Sequence, residues 1–399
     1  MMTGISSLVH ERIACLLQRG HTVRLFHPQV PEGDESHAAG STGLNELQSL
    51  GNFSAVSFPT VRNPLRRSFP EAASHRVWSD GDLLSEFKPD VITVDEAAGL
   101  FGAASGWIRG YGRPIGVHYA KQHGIPCVNL LQTDWQGYCE HYTGVTPFRF
   151  FVPFVRRLMK PVVSGYDANL TPSEFLMNRN RAIYGERIEH LSFHGVDCAR
   201  FTPDNIRFDP IPEDKSPLIL STGRIAREKT VGQLLTSFRH VQKTLPEARL
   251  VILGRGPLLK SLRKAAVPFG DRVLMPGAVF GDQLKGWYAR ADVYWTASRT
   301  ENFSAAILES LASGTPVVAP AAGGNLEQVI NGSSGQLVPA NDSLAMATKT
   351  VEILQNSQLR KSMSIAARNR ALELSLENAT DRLMGYLQKL IDVSQSNRV

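Results

Sequence analysis

The chain has 399 residues, of which 42% are hydrophobic and 20% are charged. This composition is typical of a soluble globular protein, and the length favours two domains, because single cores rarely grow beyond about 250 to 300 residues. It argues against a membrane-spanning protein, since no apolar run reaches the ~20 residues of a transmembrane helix. The net charge of +6 permits anionic partners without specifying one.

The cysteines and the N-terminus favour a cytoplasmic protein. The four cysteines are scattered without metal-ligand spacing, and Cys15 and Cys127 lie in apolar surroundings that are typical of a core. We therefore expect reduced thiols. The N-terminus also lacks the basic and then apolar pattern of a signal peptide.

In the first half of the chain, helical and strand-like segments alternate. LVHERIACLLQRGHTVRLFHP predicts a helix that stops at Gly20 and then a strand at TVRLF. FKPDVITVDEA and HGIPCVNLLQTD each predict a short strand, and GYDANLTPSEFLMNRN predicts a strand and a helix capped by Ser173. Such an alternation indicates a parallel sheet.

A segment rich in proline and acidic residues, FTPDNIRFDPIPEDKSP, predicts a linker between Phe201 and Pro217. The alternation of strands and helices then restarts, and later strands are predicted at RVLMPGAV, ADVYWTAS, TPVVAP and GQLVPA. Two doubly wound domains with a cleft between them are the natural interpretation. In such sheets, ligands bind beyond the carboxyl ends of the strands.

Glu301 and Glu309 lie eight positions apart in RTENFSAAILESLASGTPVVAP. In a helix this spacing is slightly more than two turns, so both carboxylates would lie near one face. A helix that begins just after Glu301 would also offer unpaired N–H groups to a phosphate. The alternative is an ordinary buried helix followed by a buried strand, in which Glu309 is only an exposed polar residue.

Two further segments follow predicted strands. STGRIAREKT places Arg224 and Lys229 in a strand-to-helix loop, where they would either grip a diphosphate or remain solvated surface cations. PAAGGNLEQVINGSSG places Gly323 and Gly324 where the backbone would approach a ligand or make a tight turn. LGRGP lacks the third glycine of a dinucleotide fingerprint, so it predicts a simple turn. The loop with Arg224 and Lys229, the helix start with the two glutamates and the helix start with the two glycines share one predicted sheet edge. This shared position favours a common ligand.

The order of these motifs, from TGRIAREK through PEARLVILGRGP to GGNLEQVINGSSGQLV, resembles the donor-binding half of the family 4 retaining glycosyltransferases, which have the GT-B fold. The resemblance is dense over about residues 216–345, and the two glutamates match the family's signature of glutamates separated by seven residues. The first half of the chain is similar more thinly, at TGISSLVHERIACLLQRGHTV, FKPDVITV, HGIPCVNLL and HGVDCARFTP.

This resemblance implies an α/β protein with two Rossmann-like doubly wound domains that face a central cleft. Residues 1–200 would form the acceptor-binding domain and residues 201–375 the nucleotide-sugar-binding domain. Residues 376–399 would form a helix that returns to the first domain.

The resemblance also implies roles for single residues. Arg224 and Lys229 would neutralise the leaving diphosphate, Glu301 would hold hydroxyls of the donor sugar, and Glu309 would accept hydrogen bonds from the ribose. Gly4 would let the first-domain loop approach the diphosphate. Backbone N–H groups near Phe303 to Ala305 would meet the sugar and the phosphate. The further donor-binding positions are Phe303, Ser304, Ala305, Gly223, Gly324 and Val279.

The implied reaction is sugar transfer with retained anomeric configuration, in which the leaving phosphate helps to deprotonate the acceptor. Such a reaction requires the protein to stabilise charge and to align the two substrates more than it requires a side-chain base. The resemblance implies no cofactor and no metal, and a UDP-sugar is the expected donor from its frequency in the family. An alternative is a nucleotide-sugar-binding protein without transferase activity; no cofactor lysine or acid/base pair supports a GT-B epimerase or phosphorylase.

Three departures from the family pattern bear on activity. Gln132 lies where the family usually has a catalytic-site histidine, and glutamine can hydrogen-bond a sugar hydroxyl but cannot take a proton. Ser304 replaces a common glycine, which is tolerable if this residue has ordinary helical dihedrals and less so if its φ is positive. The chain also begins within the glycine loop, so we expect the first domain to lack its first strand and the neighbouring strands to lose a pairing partner.

The acceptor is expected to be a lipid or a small molecule, with no nucleic acid involved. Residues 130–174 are most similar to family members that glycosylate lipids, such as sulfolipid synthases. Within them, FRFFVPFVRRLMK (Phe148–Lys160) has two interpretations. It would form either an interfacial surface that makes peripheral contact with a membrane or an interior helix kinked by Pro153.

Overall fold

The protein forms two compact units in the computed structural model: Met1–His194 with Ala379–Val399, and Gly195–Asn378. Sequence reasoning placed the corresponding boundaries at residues 200 and 375. The structure describes residues 4–28, 44–58, 60–62, 70–72, 81–95, 116–134, 157, 163–185, 187–206 and 216–397. Phe148–Lys160, with its two interpretations, therefore lies almost entirely outside the described residues.

In its described residues, the first unit contains two parallel sheets and a short antiparallel pair of strands. The strands run in the orders β1-β2 and β5-β6-β7-β8, and β3 pairs with β4. Their bounds are β1 (Val23–Pro28), β2 (Phe53–Phe58), β3 (Thr60–Arg62), β4 (Pro70–Ala72), β5 (Ile92–Asp95), β6 (Cys127–Leu130), β7 (Ala168–Thr171) and β8 (Glu189–His190). The helices are α1 (Gly4–Gln18), α2 (44–50), α3 (Gly81–Phe87), α4 (Val117–His123) and α5 (Glu174–Tyr184).

The local signals in this unit are confirmed. Gly20, with a φ of 83°, follows the end of α1, a backbone conformation that glycine adopts without a steric penalty. The Ser173 Oγ accepts a hydrogen bond of 3.2 Å from the Leu176 N–H, and so caps α5. Cys15 and Cys127 are buried free thiols, as their apolar surroundings indicated.

The last helix, α13 (Leu376–Ser396), packs on the first unit along most of its length. Leu383 and Leu387 lie in one buried cluster with side chains of β6 and β7. The Arg382 Nε donates to the Ser192 carbonyl at 3.0 Å. The apolar side of this amphipathic helix is thus covered by the sheet of the first unit.

The second unit contains a six-stranded parallel sheet in the order β11-β10-β9-β12-β13-β14, which is the strand order of Rossmann folds. The strands are buried on both faces, since Leu250 and Ile252 lie in one hydrophobic cluster and Val251 and Leu253 in another. Their bounds are β9 (Leu218–Thr222), β10 (Arg249–Leu253), β11 (Val273–Gly277), β12 (Val293–Trp295), β13 (Val317–Pro320) and β14 (Gly335–Val338).

Helices cover both faces of this sheet. They are α6 (Gly232–Gln242), α7 (Leu259–Ala266), α8 (Gly281–Arg290), α9 (Ala305–Ala312), α10 (Asn325–Gln328), α11 (Ser343–Gln355) and α12 (Ser357–Glu373), with 3₁₀ turns at Arg227–Lys229 and Val267–Arg272. The prediction of two Rossmann-like domains is confirmed. In the described part of the chain, no helix is long and apolar enough to cross a membrane.

Candidate active site

The carboxyl ends of β9, β10 and β11 are tied together by backbone hydrogen bonds. The Gly223 N–H donates to the Leu253 carbonyl at 2.9 Å, and the Gly254 N–H donates to the Gly277 carbonyl at 2.7 Å. A Cβ atom at Gly254 would lie 1.8 Å from the Gly223 oxygen, so only glycine fits there. Gly254, in the LGRGP segment, therefore lets two loops meet.

Lys229 and Glu301 form an ion pair at this edge. The Lys229 Nζ lies 2.6 Å from the Glu301 Oε1, and the Glu301 side chain is only 11% exposed. Arg224, on the same loop as Lys229, is more open to solvent and lies 3.9 Å from the Glu228 carboxylate. The structure thus brings together one predicted diphosphate-binding cation and the predicted sugar-binding carboxylate.

Glu301 lies outside the helix that carries Glu309. Because α9 begins at Ala305, the prediction that both carboxylates share one helical face is wrong. The loop before the helix turns Glu301 toward Lys229 instead. Ser304 has φ −85° and ψ 115°, an ordinary extended conformation, so serine replaces the common glycine without backbone strain.

Gln328 holds the backbone of Ser304 at both of its polar atoms. The Ser304 N–H donates to the Gln328 Oε1 at 2.8 Å, and the Gln328 Nε2 donates to the Ser304 carbonyl at 2.9 Å. This buried clamp was missed in the sequence, because a glutamine 24 positions away carries no local signal. A ligand at this helix start would therefore depend on another N–H group, such as that of Ala305.

The two consecutive glycines bring α10 against the loop that carries Glu301. The Gly324 N–H donates to the Glu301 carbonyl at 2.6 Å, and a Cβ atom at Gly324 would lie 1.9 Å from the Asn302 oxygen. Gly323 has a φ of 61°. The close backbone approach predicted for a ligand is thus made by the Glu301 loop itself, and it fixes the position of that loop.

Glu309 belongs to a small hydroxyl cluster under the same edge. The Tyr288 hydroxyl donates to the Glu309 Oε2 at 2.8 Å and lies 2.7 Å from the Thr222 Oγ1. Burial and the nearby Glu309 carboxylate raise the pKa of Tyr288 well above its ordinary value, so its hydroxyl stays protonated. Val279, which is half-buried, lies just after the carboxyl end of β11, at the same edge of the sheet. Sequence reasoning missed Thr222 and Tyr288.

In the first unit, Gln132 follows β6 and lies in a buried polar network. The Gln132 Nε2 donates to the Asp95 Oδ1 at 2.7 Å, and the His194 Nε2 lies 3.0 Å from the Gln132 Oε1. Arg12, from α1, pairs with the other oxygen of Asp95. Burial, with a smaller effect of Arg12, lowers the pKa of His194 to about 3, so the ring is neutral at physiological pH. Gly4 is the first residue of α1.

In the residues that the structure describes, no three histidine, cysteine, aspartate or glutamate side chains lie close enough to hold a metal ion. The charges at the second unit's sheet edge are instead supplied by arginine, lysine and glutamate. This edge can bind an anion through Arg224 and Lys229 and hydroxyl groups through the two glutamates.

Two Rossmann-like units, one of which carries these groups at its sheet edge, are typical of glycosyltransferases of the GT-B class. Two family models match the chain: Glycosyltransferase Family 4 over residues 2–200 and Glycosyl transferases group 1 over residues 203–370. Together they span nearly the whole chain, which belongs to the family 4 glycosyltransferases.

Named relatives are similar to this chain over most of its length. A GDP-mannose-dependent alpha-mannosyltransferase of Mycobacterium tuberculosis is 28% identical and covers 97% of this chain and 93% of its own. A phosphatidylinositol monomannoside mannosyltransferase of the same species, also GDP-mannose-dependent, is 28% identical over 92% of this chain and 89% of its own. Sulfoquinovosyl transferase SQD2 of Arabidopsis thaliana is 29% identical over 78% of this chain and 58% of its own.

Among solved structures, Anabaena HepE in complex with UDP-glucose superimposes with a TM-score of 0.68. The identity is 16%, and the match covers 98% of this chain and 97% of that one. This likeness confirms the GT-B fold class expected from the motifs.

Proposed function

We propose that this glycosyltransferase moves a hexose from a nucleoside diphosphate sugar to a hydroxyl of a lipid acceptor, with retention of anomeric configuration and without a metal ion. The observation that carries the proposal is the Lys229–Glu301 pair, since it places a phosphate-binding cation beside a hydroxyl-binding carboxylate. A diphosphate and a sugar are the two neighbouring parts of one donor.

The metal-independent part of the proposal is supported by the cations of the strand-end loop. A leaving diphosphate gains negative charge in the transition state, and preorganised cations stabilise that charge. Arg224 and Lys229 lie five positions apart on one short loop and can serve this purpose. If the leaving phosphate takes the acceptor proton, the acceptor attacks the sugar from the face that the phosphate leaves, and the anomeric configuration is retained. No side-chain base is then needed on the opposite face of the sugar.

Family frequency favours UDP as the nucleotide, whereas the relatives favour GDP. We infer that GDP-mannose is the first donor to test, because two relatives that cover nearly the whole chain use it by name. Phe280, 60% exposed just after Val279, offers an aromatic face for a base. Asp282, which is exposed, holds its carboxylate 2.6 Å from the Lys285 Nζ. A carboxylate can accept from two N–H groups of guanine but from only one of uracil.

A lipid acceptor is supported by the phosphatidylinositol monomannoside mannosyltransferase among the relatives. Residues 130–174 also resemble the corresponding segment of family members that glycosylate lipids. We propose that the chain meets such an acceptor at a membrane surface as a peripheral protein of the cytoplasm.

The test begins with nucleotide binding and ends with product analysis. Thermal shifts with GDP, UDP and ADP identify the nucleotide, since a ligand that binds only the folded state raises the melting temperature. Release of nucleoside diphosphate is then followed with the matching sugar donor and mixed micelles of phosphatidylinositol or diacylglycerol. The anomeric configuration of the product is read by NMR from the one-bond coupling between C1 and H1, because the H1–H2 coupling of a mannoside is small in both anomers.

A shift with GDP and mannosylation of a lipid with retained α-configuration support the full proposal. A shift with UDP alone moves the donor back to a UDP-sugar. Binding of a nucleotide without turnover on any lipid, sugar or small-molecule acceptor contradicts the proposed reaction and favours a nucleotide-sugar-binding role.

A further inference from the structure

Four side chains from four separate segments meet in the first unit and are here named the Gln132 network: Arg12, Asp95, Gln132 and His194. Arg12 comes from α1, Asp95 ends β5, Gln132 follows β6, and His194 precedes the linker. Arg12, Gln132 and His194 are each at most 6% exposed. Polar side chains are costly to bury unless they are hydrogen-bonded to one another, so a buried cluster of this kind holds its members in fixed positions.

The network fixes the direction of the Gln132 carboxamide. A carboxylate only accepts hydrogen bonds, so the amide nitrogen of Gln132 must face the Asp95 Oδ1, 2.7 Å away. The Gln132 oxygen then faces the His194 Nε2 at 3.0 Å, and that nitrogen must be the donor. A flipped amide would set its oxygen against the carboxylate oxygen of Asp95, with no proton between them.

His194 is suited to this fixed role because its ring stays neutral. The neutral ring carries one proton, and the Gln132 oxygen selects the tautomer with that proton on Nε2. Arg12 holds the opposite side of Asp95, so the carboxylate cannot turn away from Gln132. Each member of the network therefore restrains the next.

We propose that Asp95 and His194 are positioning residues, which hold the Gln132 carboxamide in one orientation so that it acts on a substrate hydroxyl as a fixed hydrogen-bonding group. This inference rests on the proposed sugar transfer. It assigns Gln132 an orienting function and no proton transfer, which explains how glutamine can occupy this position in an active enzyme. Because Arg12 lies on α1, the same network also ties the helix that starts at Gly4 to the position of Gln132.

The kinetic test compares two substitutions of one residue. H194L removes the donor to the Gln132 oxygen, and we expect kcat to fall about 10-fold or more with little change in the KM for the donor. H194Q supplies a side-chain N–H of similar reach, and we expect it to recover most of that loss. H21L, which removes an exposed histidine of the same unit, is the matched control.

A second measurement needs no turnover. The ¹⁵N shifts of histidine-labelled protein should report His194 as the Nε2–H tautomer in the wild type, and Q132L should change its ring shifts. D95N should disturb the same resonances, since an amide no longer forces the Gln132 nitrogen toward position 95. These spectra test the network even if no donor and acceptor pair gives product.

The outcomes separate this inference from the proposed function. A wild type without turnover but with the Nε2–H tautomer contradicts the proposed transfer and leaves the network intact. Equal kcat values in wild type, H194L and H194Q overturn the positioning role. An Nδ1–H tautomer in the wild type overturns it as well, because His194 would then be unable to donate to Gln132.

Discussion

The Lys229 Nζ lies 2.6 Å from the Glu301 Oε1, although the two residues are 72 positions apart in the chain. The pair joins the loop after β9 to the loop before α9, and both loops lie at the carboxyl edge of one parallel sheet. A bound diphosphate sugar would share Lys229 with Glu301, so each side chain sets the position of the other.

Substitution of Glu301 by glutamine should reduce kcat by about 100-fold, because an amide orients both the sugar hydroxyls and Lys229 less strongly than a carboxylate. The double substitution with K229A should lose less than the product of the two single losses, since the residues act as a pair. Steady-state kinetics measure both effects. E352Q, at an exposed surface pair on α11, is the control and should behave as wild type. Fully multiplicative losses would contradict the coupling.

Glu309 is predicted to bind the ribose of the donor, with Tyr288 fixing its carboxylate. The wild type should bind a 2′-deoxy or 3′-deoxy nucleoside diphosphate about 10-fold more weakly than the parent nucleotide, by loss of one charge-assisted hydrogen bond. E309A should bind all of them equally weakly. Y288F should lie between, because the Glu309 Oε2 loses its 2.8 Å hydrogen bond. Isothermal titration calorimetry provides the affinities, and an undiminished preference for the hydroxyl in E309A would exclude ribose contact.

The glycines at the start of α10 are predicted to be structurally required. G324A should destabilise the chain by about 3 kcal/mol or more, because its Cβ would lie 1.9 Å from the Asn302 oxygen and the loop would have to move. G232A, at the start of α6, is the matched control, since a Cβ there meets nothing within 4 Å. S304G should change little, because Ser304 has a negative φ. Urea unfolding of the three variants gives the free energies.

Catalysis is predicted to proceed without a divalent metal ion. Initial rates should be equal with excess EDTA and with millimolar Mg²⁺, because Arg224 and Lys229 are proposed to carry the charge of the leaving diphosphate. K229A and R224A should each lower kcat about 10- to 100-fold in both conditions. A rate abolished by EDTA and restored by Mg²⁺ would contradict this prediction.

The pH dependence of stability should carry a contribution from His194. Burial lowers the pKa of the folded His194 from 6.5 to about 3, so between these values the unfolded chain binds a proton that the folded chain does not. Acidification below pH 6.5 therefore favours unfolding, by about 1.4 kcal/mol per pH unit for this group. On the Gln132 side of the ring, the Gln132 oxygen lies 3.0 Å from the His194 Nε2, and Asp95 and Arg12 follow behind it in the Gln132 network.

The measurement compares urea unfolding of the wild type and H194Q at pH 7.5, 6.5 and 5.5. Because glutamine does not titrate, the variant should lose less stability on acidification, and the difference should appear only below about pH 6.5. Parallel pH profiles for the two proteins would show that His194 is protonated in the folded chain or that its pKa does not change on unfolding.

Much of the fold could be predicted because its signals are local. A helix that stops at Gly20, a cap at Ser173 and continuous apolar strands such as Leu218–Thr222 each depend on neighbours within a few residues. The predicted sheet edge followed from the same pattern, since parallel strands place their carboxyl ends together. The wrong detail, a shared helical face for the two glutamates, arose because spacing alone does not show where a helix begins.

The amino-acid sequence by itself determined the class of this protein: an alternation of strands and helices that must form parallel sheets, and an ordered set of charged and glycine-rich strand ends that marks a glycosyltransferase. Only the tertiary structure decided which side chains act together. Lys229 meets Glu301, Tyr288 meets Glu309, Gln328 clamps Ser304, and Asp95 and His194 hold Gln132. These partners are 21 to 72 positions apart, and hydrogen bonds of this kind depend on how strands are ordered and loops are packed, which no local pattern of residues encodes.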